Sequence, residues 1–153
     1  MPPNDLDRVI ELGKNNMTVR ELRERVTAVE PSIVILEEVD GQTVEGAEIT
    51  LGRITELVRD VGPFAIIVDL QRVPSRPASD YRECMERWAR TMPPFHTAYV
   101  LPPVGAITRM ALRWVALRVL KVHEDSTSSD HESIEDAVAK CREVLSTAAR
   151  EAQ

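Results

Sequence analysis

Phe64-Ala65-Ile66-Ile67-Val68 is an unbroken apolar run, preceded by the helix-stopping pair Gly62-Pro63 and followed by Asp69-Leu70. Such a run without alternation describes a strand covered on both faces, as in the middle of a parallel sheet. Upstream lies Ile33-Val34-Ile35-Leu36, a second strand run dense in β-branched residues and followed by the turn-like Asp40-Gly41. Between the two, Ala47, Leu51, Ile54 and Val58 recur at steps of four, three and four, the stripe of an amphipathic helix. Downstream the cycle repeats. Pro74, Pro77 and Ser79 mark a loop and a helix N-cap, and Tyr81, Met85, Trp88 and Met92 supply a second helical stripe that ends at Pro93-Pro94. His96 to Leu101 reads as a third strand, residues 106–120 as a third helix, and Lys121-Val122-His123 as a short edge strand. A polar loop over Glu124–Glu132 then leads to Ser133-x-x-Asp136, a capping-box pattern for a last helix with the stripe Ile134, Ala137, Val138, Cys141 and Leu145. Strands alternating with helices predict an α/β fold: a mixed, mainly parallel sheet of four to five strands with helices packed on it.

The first 30 residues are less regular. Arg25 to Val29 fits a strand paired antiparallel to residues 33–39 through Glu30-Pro31-Ser32, whereas Val19, Leu22 and Val26 also fit one side of a helix. The hairpin is the preferred reading, with residues 1–24 as a partly ordered N-terminal arm and 25–150 as a single domain.

Composition narrows the function classes. The chain has 153 residues, 43% hydrophobic and 29% charged, with 19 Lys+Arg against 25 Asp+Glu and a net charge of −6. That is the profile of one folded domain, and its acidity argues against a nucleic-acid partner. No apolar run approaches the length of about 18–20 residues that crosses a bilayer, and MPPNDLDR lacks the basic-then-apolar order of a signal peptide. Cys84 and Cys141 fall on the packing faces of predicted helices and form neither a disulfide framework nor a CxxC pair. The expected location is the cytoplasm.

The hairpin followed by αβαβα(βα), the stretch Ile33 to Gly41 and above all Ile67-Val68-Asp69-Leu70 resemble the STAS domain superfamily, most closely its SpoIIAA-like (STAS/SEC14-like) branch. The resemblance covers about residues 25–147 and implies a bacterial regulatory domain that acts by binding another protein. It departs at one place. Switch-type members carry an Asp-Ser-Ser-Gly-type turn with a phosphorylated serine, and here the corresponding stretch is Gln71 to Asp80. Ser79 falls near that site without the acidic residue before it or the glycine after it, so the phosphoserine switch motif is not intact here, although a phosphate on Ser79 at the helix start would be favoured by the helix dipole.

Two surfaces are candidates for binding. The first is the loop at the carboxyl end of the Phe64–Val68 strand, where open α/β sheets form ligand crevices; Ser75, Arg76, Ser79 and Asp80 would meet a partner or an anion there. The bland reading is a capped helix behind a proline-shaped turn. The second is the third helix. Residues 103–121 hold Arg109, Arg113, Arg118 and Lys121 and no acid, with Ile107, Met110, Trp114 and Leu117 on one side and Leu112, Val115 and Val119 on nearly the opposite side. A helix on a sheet needs one apolar stripe. The second needs cover from the last helix or the arm, from a partner or second copy, or from anionic lipid. Met110, Arg113, Trp114 and Leu117 are therefore expected to face a partner or ligand.

For catalysis, GxSxG, GxxxxGK[ST] and GxGxxG are all missing. Glu37, Glu38 and Asp40 read as the solvated end of a strand, His96 as structural, and His123, Glu124, Asp125, Asp130, His131 and Glu132 as a solvated loop rather than a metal site. The expectation is a non-catalytic binding domain with no cofactor and no metal. The alternative is a lipid or small apolar ligand held between the sheet and the second and third helices, with Met85, Trp88, Met92, Met110 and Trp114 as a soft lining.

Overall fold

The computed structural model describes residues 5–13, 15–73, 78–103, 105, 109–110 and 125–152. From the N-terminus, β1 (Val9–Glu11) and β2 (Asn16–Thr18) form a small antiparallel hairpin, followed directly by α1 (Val19–Glu24). Then come β3 (Val26–Glu30), β4 (Ile33–Glu37), α2 (Val44–Val58), β5 (Ala65–Asp69), α3 (Ser79–Arg90), β6 (His96–Val100), β7 (Thr127–His131) and α4 (Ile134–Glu151). The second sheet has the order β3-β4-β5-β6-β7, with β3 antiparallel to β4 and every later pair parallel. The fold is thus α/β with a mixed, mainly parallel five-stranded sheet, as the strand runs predict.

Two apolar layers hold it. On one face Val34, Leu36, Ile66, Val68 and Tyr99 pack against Ala47, Leu51, Ile54 and Val58 of α2 and Cys84, Met85 and Trp88 of α3. Consecutive parallel strands joined by right-handed crossovers put their helices on one side. On the opposite face Ile33, Ala65, Ile67, Ala98 and Val100 meet Ala137 and Cys141 of α4. Ala65, Ala98 and Ala137 are all fully buried in this layer. Gly62, at φ +74°, reverses the chain between α2 and β5 in a conformation that side-chain-bearing residues rarely adopt.

The N-terminal residues differ from the expected arm. Val19 and Leu22 are buried, and Thr18 caps α1 by a complete capping box with Glu21. Together with Ile10, Leu12 and Met17 they form a third cluster that packs against Leu6, Val39 and Ile49. The edge strand also differs. Thr127–His131, inside the expected polar loop, is β7, because pairing with β6 satisfies its backbone whatever its side chains. The expected strand at 121–123 lies outside the described residues, as does the third helix except for Arg109 and Met110, which are helical.

Candidate functional site

The carboxyl ends of β4, β5, β6 and β7 share one edge, where the ladder continues past the strands: the Glu38 amide donates to the Asp69 carbonyl (3.1 Å), Leu70 to Val100 (2.9 Å) and Leu101 to His131 (3.1 Å). Ligands of open α/β sheets collect at such an edge. Glu38, the residue after β4, is 5% exposed. Its Oε1 accepts from the Val39 amide and from Gln42 Nε2, both at 3.0 Å, and its Oε2 accepts from the Tyr81 hydroxyl in a short hydrogen bond. Burial pushes the carboxyl pKa up, and the three donors partly offset that by favouring the charged form. The same burial, with the carboxylate beside it, pushes the Tyr81 phenol well up, so Tyr81 remains a donor. This overturns the reading of Glu38 as the solvated end of a strand. Glu37 is the outward one, 3.0 Å from Arg25 and 3.7 Å from Arg72.

Both Glu38 oxygens are thus taken by internal donors. The group ties the β4–α2 loop to the first turn of α3 and leaves no bare carboxylate to act on a substrate. Gln42 is held in turn: its Oε1 accepts from the Thr43 amide at 3.1 Å and lies where a Cβ on Gly46 would approach to 2.1 Å. Gly46→Ala is therefore expected to destabilise the protein by about 1–2 kcal/mol in urea unfolding, although alanine is the better helix former, because it displaces Gln42 from both bonds. A neutral or stabilising result would show that Gln42 is not clamped.

Of the loop candidates, Ser79 and Asp80 are exposed at the start of α3, and Ser75 and Arg76 lie outside the described residues. Ser79 is the first helical residue rather than the cap. Ala78 occupies the cap position, with no side-chain hydrogen bond, and the Asp80 carboxylate accepts from the Tyr81 amide at 2.8 Å. Asp80 already places a negative charge where the helix N-terminus favours one, which weakens the case for an anion bound there. On the third helix Met110 is 69% exposed, and Arg113, Trp114 and Leu117 lie outside the described residues.

Met85, Trp88 and Met92 pack onto the α2–α3 layer. Trp88 donates to Thr55 Oγ1 at 2.9 Å, and the Trp88 and Phe95 rings meet at 5.6 Å. The cavity among Leu36, Leu51, Ile66, Met85, Trp88 and Tyr99 measures only about 20 Å³, room for one water and not for an acyl chain. Among the described residues no group of three or more His, Cys, Asp or Glu could hold a metal ion, and no helix is long and apolar enough to cross a membrane. Cys141 is buried, which pushes its thiol up to about 11.

No protein-family model, no curated protein and no solved structure matches this chain.

Proposed function

We propose that this chain is a non-catalytic binding domain of the STAS/SpoIIAA-like type, a cytoplasmic bacterial regulatory module without an intact phosphoserine switch motif, whose protein partner or second copy docks at the carboxyl edge of the sheet. The observation that supports this reading is the buried Glu38–Gln42–Tyr81 network. It fixes two neighbouring segments of that edge while leaving Arg72, Ser79 and Asp80 exposed. A surface fixed before binding loses less conformational entropy when a partner arrives. A buried carboxylate held by three internal donors suits a scaffold better than an acid or base, which must reach a reacting group. The lipid alternative places its ligand between the sheet and the second and third predicted helices; the third lies outside the described residues, and beside Met85 and Trp88 the described cavity is only about 20 Å³.

The test is site-specific photo-crosslinking in cells. Probes at Arg72 and Asp80 are expected to give one discrete adduct, with a different protein or with a second copy. A probe at Asp60, beyond α2 on the amino side of the sheet, should give none. Absence of an adduct at the edge, or equal adducts at all three positions, would overturn the proposal.

A further inference from the structure

Strand β7 carries a polar chain on the sheet face that also packs α4. Thr127, Ser129 and His131 follow one another along that face at alternate positions, and His96 of β6 stands beside Thr127 in register. Thr127 Oγ1 is 2.7 Å from His96 Nδ1, His96 Nε2 is 2.9 Å from Ser129 Oγ, and Ser129 Oγ is 2.7 Å from His131 Nε2. His96 is 3% exposed, His131 is half-buried and Thr127 is exposed, so the chain runs through a buried ring between two more accessible ends.

Counting protons fixes what this chain can do. A neutral imidazole has one N–H and one bare nitrogen, and a hydroxyl has one proton to give. With both rings neutral, two polarities satisfy all three links. In the first, Thr127 donates to His96 Nδ1, His96 Nε2–H donates to Ser129, and Ser129 donates to His131 Nε2. In the second every link is reversed, and the Thr127 O–H is released to solvent. An imidazolium at His131 bears a proton on both nitrogens, so its Nε2 cannot accept and only the second polarity survives.

We infer that β7 is a proton wire: protonation of His131 at the carboxyl edge sets the tautomer of buried His96 and turns the outward side of the Thr127 hydroxyl from acceptor to donor, about 13 Å away at the rise of a strand. The balance closes. One proton enters at the Thr127 hydroxyl as its own passes to His96 Nδ1, the His96 Nε2 proton passes to Ser129, and the Ser129 proton passes to His131. One positive charge appears at His131 and none on His96. Burial, with Lys140 and His131 nearby, lowers the His96 pKa to about 4, which keeps that ring neutral while the wire reverses. The charged groups that act on His96 are Lys140 of α4, itself 3.4 Å from Glu143, and His131; beside His131 in the chain stand Asp130 and Glu132, the latter 3.8 Å from Arg109. Asp130 alternates to the opposite face, where its charge acts on Tyr99.

Nitrogen-15 NMR of the histidine rings in the full chain, from about pH 8 to pH 5, tests this. In the wild type, a His96 population with its proton on Nε2 is expected to disappear as His131 takes up its proton, with His96 remaining neutral. In Ser129→Ala the His96 tautomers should no longer follow the charge on His131. In His131→Gln the pH response of His96 should vanish. A single unchanging His96 tautomer in the wild type would overturn the inference, as would a response that survives in Ser129→Ala. A merely structural hydrogen-bond ladder would not link the His96 tautomer to His131.

Discussion

Glu38→Ala is expected to lower the unfolding free energy by about 3 kcal/mol, since each buried donor left without a partner costs about 1–3 kcal/mol and relief of the carboxylate's own burial offsets part of that loss. The donors stranded are the Tyr81 hydroxyl, the Val39 amide and Gln42 Nε2. Tyr81→Phe should cost less, about 1–2 kcal/mol, because Glu38 then keeps two of its three donors. The double variant should cost less than the sum of the two, as expected for groups in one network. The pH dependence has a definite sign. The folded pKa of Glu38 is raised above its ordinary value of 4.5, so its contribution is complete below that value and declines as pH rises through the raised one. Glu38→Gln, which cannot titrate, should therefore close part of its stability gap to the wild type as pH rises. His96 works in the opposite sense. Its pKa is lowered from 6.5 to about 4, so its contribution is present above about 6.5 and lost as pH falls through 4. Only the comparison of wild type with Glu38→Gln isolates the carboxyl. Urea unfolding at two pH values reads all of this, and a Glu38→Ala loss under about 1 kcal/mol would mean that the network does not hold the edge.

The parts of this fold written in side-chain periodicity were the legible ones. Ala47, Leu51, Ile54 and Val58 are all buried on α2, and Ile66, Ile67 and Val68 are all buried in β5. Elements whose stability comes from the backbone or from a partner elsewhere were not. Strand β7 is Thr-Ser-Ser-Asp-His and has no apolar pattern, and β1 and β2 are three residues each, too short for a period to register. Helix α1 did carry a signal, since Thr18-x-x-Glu21 has the spacing of a capping box. At the site, strand alternation sends Glu37 and Glu38 to opposite faces but does not say which of them turns inward. That depends on Tyr81, 43 positions away. The pairing of His96 with Ser129 depends likewise on the register of two distant strands.

Leu22→Ala bears on how the N-terminal segment relates to the rest. Leu22 is fully buried in a cluster with Ile10, Leu12, Met17 and Val19, packed against Val39 next to Glu38 and Ile49 on α2. Removing three carbons from such a place costs about 2–5 kcal/mol through lost burial and the cavity left behind. A partly ordered arm would lose almost nothing. The segment is also tied down by polar contacts: the Gly13 amide donates to the Gly41 carbonyl at 2.9 Å, and Arg23 reaches Glu56 through both terminal nitrogens, at 3.2 and 2.9 Å. The ion pair lowers the Glu56 pKa to about 2. It is partly solvent-exposed and worth about 1 kcal/mol, so apolar packing dominates the expected effect. Two probes separate the outcomes. Far-UV circular dichroism follows the whole chain, whereas tryptophan fluorescence includes Trp88 in the α2–α3 layer, away from the mutated cluster. If residues 9–24 fold with the sheet, Leu22→Ala moves both urea transitions by the same free energy and leaves their slopes unchanged. If they are an appendage, the fluorescence transition stays in place while part of the dichroism is lost early. Because Val39 and Gly41 lie in the loop that Glu38 anchors, the common shift would also mean that the N-terminal cluster supports the candidate binding edge from behind.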